Sequence, residues 1–378
     1  MSKTLEIKRV DINPKNKTKK RYIYLDKKNN QIKDPETLTR LKKIYIPPGY
    51  SDVRISSSPS NYLQAYGFDD KGRKQYVYNK SFIAKQSRNK YCELKHFGLH
   101  ISKIRNDVNN ILSSDKPLLS YEKMVALVIY ILDNCYFRIG NIHYFNEHES
   151  HGVSTLRTKH LKFKNSDELS IEFIGKKGVF NQCHIKDKKL IKLLKELSDL
   201  SNKNNNDHSF LFYYLDSDNK KQLIKPLDVN QFLEKYHSDI TLKMFRTWGA
   251  NYIFLEEMLK HKDEFMTIFK ENDSSNNNKS LENITISRNE QIKSKIIRES
   301  DKIIKEIIKV IAEKLHNTPT VSKKSYLDGN VVQLYLQNPR VFWKRINRSK
   351  NKNDLNMMLI ELLTNNCITA KCKNCNKE

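Results

Sequence analysis

Glycine and proline are scarce in this sequence, with 10 and 9 among 378 residues. So little glycine leaves no glycine-rich phosphate loop. The one Gly-Lys-Lys-Gly, at 175–178, lacks the spacing of a nucleotide-binding loop, so nothing calls for ATP. Six cysteines are too few for a disulfide scaffold. Cys92, Cys135 and Cys183 have no ligand-like spacing, and the Cys372-x-x-Cys375 pair is half of a zinc site at most, so no metal is expected. A reducing intracellular compartment is the simplest setting for such cysteines. Long apolar runs are missing too. The longest, Met124 to Leu132, falls far short of the roughly 20 residues a spanning helix needs, and Met1 to Arg21 lacks a signal-peptide core. Acidic residues are the most telling shortage: 43 Asp+Glu face 69 Lys+Arg, a formal net charge of +26. Such an excess costs self-repulsion in a compact state and points to a polyanionic partner. Nucleic acid is the first candidate. An anionic membrane surface is weaker, because no basic amphipathic helix carries an aromatic insertion face.

What is present divides the chain. Hydrophobic content of 38% suffices for a proper core, and the length suits two domains. Residues 1–82 carry 19 Lys+Arg against 8 Asp+Glu and read as short strands and turns. Tyr22–Leu25 and Ile44–Ile46 are β-rich, Pro47-Pro48-Gly49 is a turn, and aromatic residues alternate over Gln75–Tyr78. From about Phe82 the pattern turns helical. Ser120 caps a helix bearing Met124, Val125, Leu127, Val128, Ile131 and Leu132. Asp187 caps a second helix to Leu200, and a third runs from about Gln291 to Leu315. Leu169–Ile174 and Gly178–Ile185 form a hairpin with Lys176 and Lys177 at its tip. Asn-rich stretches at 202–206 and 272–278 read as loop insertions.

No carboxylate cluster of the two-metal kind stands out. His143, His148 and His151, with Glu147 and Glu149, read as a solvated loop. A basic protein acting on phosphodiesters without metal needs a side-chain nucleophile, cations on the phosphate oxygens and an acid for the leaving oxygen. Four stretches offer these: Phe137-Arg138-Ile139-Gly140-Asn141, Phe173 to Gly178, Lys243-Met244-Phe245-Arg246-Thr247, and Asn317-Thr318-Pro319 followed by Ser322-Lys323-Lys324-Ser325-Tyr326.

In this order the chain resembles the type IB DNA topoisomerases, in particular their small poxvirus and bacterial branch, from about Lys42 to Tyr326. Its Asn/Lys/Ile-rich style fits an AT-rich genome such as that of a giant DNA virus, acting in a virion or at a replication site. The resemblance implies an α+β bilobed clamp. A β-rich N-terminal domain (1–82) would clamp DNA, and a larger, mainly helical catalytic domain (83–378) would end in an extension at 327–378. It also implies duplex DNA as partner, no cofactor, and a monomer.

Tyr326 would be the nucleophile, with Arg138 and Arg246 holding phosphate oxygens as guanidinium forks. Lys176 would protonate the leaving 5′-oxygen, helped by Lys243. Asn317 would donate a hydrogen bond to phosphate where poxvirus members carry His, with His316 as the alternative. Asn141 and His143 replace two DNA-contacting lysines of the poxvirus pattern, while Tyr144 matches. The run Lys71 to Tyr78 resembles the family's DNA-clamping strand. There Gln75 would reach a base edge, Tyr76 and Tyr78 would lie against sugars or thymine methyls, and Arg73, Lys74 and Lys80 would anchor phosphates. The plain alternative is a half-buried strand with its tyrosines in a core.

Two other functions fit parts of the pattern. A tyrosine recombinase shares the chemistry but usually carries His-x-x-Arg where this chain has Lys243-x-x-Arg246. A non-catalytic basic packaging protein would leave the ordered motifs a coincidence. If most of the positive charge grips backbone, DNA affinity should fall steeply and linearly on a log–log plot against salt, as fluorescence anisotropy would read.

Overall fold

The computed structural model describes residues 5–15, 20–203, 210–273, 285–337, 339–346 and 352–369. The Cys372/Cys375 pair and most of both Asn-rich stretches lie outside them. The chain divides into two compact units, residues 1–90 and 91–378. The change of pattern near Phe82 falls within the long helix that contains that boundary.

The first unit is built on β1 (Ile7–Asp11), β2 (Tyr22–Leu25), β3 (Ser51–Ile55), β4 (Leu63–Phe68) and β5 (Lys74–Tyr78). They form one antiparallel sheet in the order β2-β1-β3-β4-β5. Helix α1 (Pro35–Lys43) sits among these strands in sequence, where the composition suggested only strands and turns. Its start signal is local: the Asp34 carboxylate accepts from the Thr37 N–H at 2.7 Å, and Pro35 occupies the first helical position. Ile44–Ile46 is consequently not a strand. It is the exit from α1 into the expected turn at Pro47–Gly49, closed by the Tyr50 N–H on the Pro47 carbonyl. Leu41 and Ile46 pack with Ile7, Tyr24, Val53, Ile55 and Ala65 in the core of this unit. Arg9 is spent inside it, donating to the carbonyls of Ile46, Pro47 and Tyr50.

The second unit is mainly helical. After α2 (Lys80–Ser113) come α3 (Tyr121–Cys135) and α4 (Ile142–His148), then β6 (Leu161–Asn165), β7 (Glu168–Ile174) and β8 (Phe180–Ile185). The expected hairpin is β7–β8, and β6 extends it to a three-stranded antiparallel sheet. Next are α5 (Lys188–Lys203), the short pair β9 (Tyr213–Leu215) and β10 (Lys221–Leu223), and α6 (Pro226–Glu234). Then follow α7 (Met244–Lys260), α8 (Lys262–Asp273), α9 (Thr285–Lys314), α10 (Pro319–Ser325), α11 (Gly329–Gln337), α12 (Pro339–Ile346) and α13 (Lys352–Thr369). Ser120 caps α3 and Asp187 caps α5, each through its side-chain oxygen. α3 is apolar nearly all round because it lies at the centre, packed by α6, α7, β8 and β9.

Two features go beyond the sequence reading. Cys135 and Cys183, 48 residues apart, are joined by a disulfide between the end of α3 and β8. Neighbouring spacing gives no hint of it, because the fold alone brings α3 and β8 together. The described helices after Tyr326 are packed into the second unit. α11, α12 and α13 pack on one another, α13 lies against α7, and Tyr335, Phe342, Trp343, Leu359 and Leu363 are buried. Leu359→Ala is therefore expected to destabilise the helical unit by about 2–5 kcal/mol, seen as a lowered urea midpoint.

Candidate active site

Helix α3 ends at Cys135 because Tyr136 adopts the left-handed conformation (φ 51°, ψ 26°). Its ring fills the space beside Gly249 on α7, where any Cβ would collide with it. Phe137 is then fully buried, edge-on to Phe173 of β7 and packed on the His316 ring. With its neighbour anchored this way, Arg138 emerges only partly buried. The chain turns at Gly140 (φ 81°), which abuts Gly152, and the Arg138 carbonyl accepts from the Val153 N–H.

Arg246 lies in the first turn of α7 and is 5% exposed. Its three nitrogens are all engaged. Nε donates to the Tyr326 hydroxyl at 3.2 Å, Nη1 to the Tyr136 carbonyl, and Nη2 to the Leu315 carbonyl at 2.7 Å. The guanidinium also lies over the Tyr326 ring, 4.9 Å from its centre. Burial pulls the Arg246 pKa down to about 10, which leaves it cationic at neutral pH.

The spacing from Asn317 to Tyr326 is the length of one short helix. Thr318 caps α10, its hydroxyl accepting from the Val321 N–H, and Pro319 occupies the first position. Tyr326 ends the helix, its N–H on the Ser322 carbonyl. Asn317 Oδ1 accepts from Arg138 Nη2 at 2.6 Å, and its buried amide lies beside the Tyr326 hydroxyl. Burial would raise the Tyr326 pKa. The charge and hydrogen bond of Arg246, the charge of Arg138 and the Asn317 amide outweigh it, so the phenol sits below its ordinary value.

The structure thus gathers four of the six residues singled out as catalytic: Arg138, Arg246, Asn317 and Tyr326. A hydroxyl ringed by two guanidiniums and an amide N–H is a site for a tetrahedral oxyanion. Lys176 is exposed at the β7–β8 turn, and Lys243 is exposed at the N-cap of α7, one turn from Arg246. Neither is bonded to the central four. His316 uses one ring nitrogen on β8 while its Nδ1 is buried. It adopts φ 51°, and its Nε2 accepts from the Gln182 N–H on β8 at 3.1 Å.

Sequence reasoning missed the groups that hold the tyrosine's backbone. Asn251, fully buried on α7, donates to the Tyr326 carbonyl at 2.9 Å and accepts from the Asp328 N–H at 2.8 Å. The Tyr91 hydroxyl donates to the Leu327 carbonyl. No local motif marks either residue, since each acts on a segment more than 70 residues away.

In the first unit, Gly72 (φ 69°) closes the turn before β5. Tyr76 and Tyr78 share one face of β5, stacked with ring centres 6.2 Å apart and 50% and 38% exposed, so they are not core residues. Gln75 donates to Asp69, and Arg73 is paired with the same carboxylate. Lys74 lies over the Tyr66 ring at 4.0 Å, and Lys80 is exposed at the start of α2. Tyr144 is exposed on α4. His143 and His148 flank Glu147 on that short helix, so part of the region read as a loop is a helix of about two turns.

Comparison with known proteins identifies the family. The eukaryotic DNA topoisomerase I catalytic-core family matches residues 79–352, and the N-terminal domain of bacterial DNA topoisomerase IB matches residues 21–69. The DNA topoisomerase 1B of Acanthamoeba polyphaga mimivirus is 28% identical over 324 residues, covering 85% of this chain and 86% of that protein. The DNA topoisomerase I of Monkeypox virus is 27% identical over 301 residues, 78% of this chain and 80% of that protein. A longer fungal relative, DNA topoisomerase 1 of Mycosarcoma maydis, matches over 52% of this chain but 20% of its own length. With its core and N-terminal region both matched, the chain belongs to the type IB DNA topoisomerases.

Proposed function

We propose that this protein relaxes supercoiled duplex DNA by cutting one strand, allowing rotation and resealing it. The observation that carries the reading is the convergence of Arg246, Arg138 and Asn317 on the Tyr326 hydroxyl. Tyr326 Oη attacks the phosphorus, and its proton leaves to solvent or a neighbouring base. The bond from phosphorus to the 5′-oxygen breaks, leaving a 3′-phosphotyrosyl link and a 5′-hydroxyl. Arg138 and Arg246 neutralise the non-bridging oxygens as charge builds, and the Asn317 Nδ2–H fits a donor to one of them. Lys176 supplies the proton to the departing 5′-oxygen, and Lys243 assists. The phosphotyrosyl bond conserves the energy of the broken linkage, so resealing is the reverse reaction and needs no ATP.

Residues 1–82 form the DNA-clamping domain in this reading and 83–378 the catalytic domain, closing as a bilobed clamp with a recombinase-like catalytic fold. The exposed Tyr76 and Tyr78, flanked by Lys74 and Lys80, support a groove-facing β5. One copy suffices for this chemistry. Among the described residues no helix is long and apolar enough to cross a membrane.

The deciding experiment is plasmid relaxation in EDTA without ATP, with Tyr326→Phe beside the parent protein. The parent should relax the plasmid and the variant should not; relaxation by the variant would remove Tyr326 from the chemistry. Asn317→Ala should slow single-turnover cleavage about 10²-fold with little loss of DNA affinity, as expected for a donor used mainly in the transition state. Arg138→Ala withdraws a cation that favours the phenolate, so the Tyr326 pKa should rise. The pH profile of single-turnover cleavage should accordingly move to higher pH, and an unmoved profile would confine Arg138 to binding.

A further inference from the structure

One cluster of donor groups lies outside the site described above. His96 and His100 stand one turn apart on α2, and Glu93 lies on the same helix face. Opposite them is a tight turn between α6 and α7, His237-Ser238-Asp239-Ile240, closed by the Ile240 N–H on the His237 carbonyl. Ile240 and Leu242 are buried and seat this turn in the core. The His96 and His237 rings stack at 4.1 Å, within 8° of parallel, and the His100 ring centre is 6.3 Å from that of His237.

We propose that His96, His237 and Asp239 bind a borderline-soft divalent cation, zinc being the first candidate, that fastens α2 to the turn preceding α7.

A ring nitrogen of each histidine and a carboxylate oxygen of Asp239 lie within 4.8 Å of one another. Ligand atoms around a tetrahedral zinc are about 3.3 Å apart, given bonds of about 2.0–2.1 Å. Closing the set requires the two stacked rings to rotate out of parallel so that a lone pair of each meets one atom. His237 Nδ1 lies 3.8 Å from Asp239 Oδ2 and accepts a long 3.2 Å contact from the Asp239 N–H. A cation there would be held by Nε2, or by Nδ1 after it exchanges this long backbone contact for the metal. His100 donates Nδ1–H to the His96 carbonyl at 2.9 Å, leaving its lone pair on Nε2 as a flanking donor. Glu93 is half-buried on the same face of α2. Mixed imidazole and carboxylate donors favour zinc, nickel or cobalt over magnesium. Asp239 stands four residues before Lys243, so the cation would pin the segment that leads into α7.

The test uses the full chain, stripped with EDTA, desalted and titrated calorimetrically with zinc chloride. One tight equivalent is expected, with a thermal midpoint raised by several degrees. His237→Gln and Asp239→Asn, both partly exposed positions where folding should survive, should each weaken binding at least tenfold and together abolish it. The double variant Cys372→Ser/Cys375→Ser should leave it intact. Cobalt(II) loading should show ligand-field bands without thiolate charge-transfer absorption. The proposal is overturned if no tight equivalent binds, if binding survives His237→Gln/Asp239→Asn, or if it vanishes with the two cysteines.

Discussion

The buried guanidinium of Arg246 is the constraint on which the rest of the site depends. Three of its contacts reach three separate stretches of chain: the residue after α3, the residue after α9, and the residue after α10. A cation this deeply desolvated is costly unless every N–H is used. That requirement fixes the ends of three helices relative to α7. The left-handed Tyr136 and His316 follow from it, since each turns its chain immediately beside a carbonyl that Arg246 needs. Had α3 run one residue further, Phe137 would lose its place between Phe173 and His316, and Arg138 would not reach Asn317.

The excess positive charge now has a more definite distribution. Two cations, Arg138 and Arg246, gather at the Tyr326 hydroxyl, and some are consumed in the fold, as Arg9 is by three carbonyls and Arg105 by Asp133. Arg73 is partly neutralised by Asp69, whose carboxyl it holds down to about 2. That pairing sets the turn before β5 and orients the face bearing Tyr76 and Tyr78. Arg73 therefore serves first as a structural residue of that turn.

Much of the site was legible in the sequence because its chemistry is carried by short local signals. Thr318-Pro319 is a helix start, and Tyr326 lies at that helix's end. Lys243 and Arg246 share a turn, and Lys176 crowns a hairpin whose alternation is plain. Helix α1 was missed although Asp34-Pro35 announces it, because its sequence is dominated by polar residues and bears one fully buried side chain, Leu41. The Cys135–Cys183 bond and the grip of Asn251 and Tyr91 on residues 326–328 could not be read locally. They are contacts between segments distant in sequence, and only the folded core sets them.

The helices after Tyr326 carry a consequence for the order in which the protein comes into being. α13 packs on α7, with Ile360 meeting Trp248 beside Gly98. The helix that positions Arg246 is thus walled by the last described stretch of the chain. During synthesis the tyrosine emerges before the helix that completes its surroundings. The packing around Trp248, and with it the seat of the helix that carries Arg246, is therefore completed only after residues 352–363 have been made.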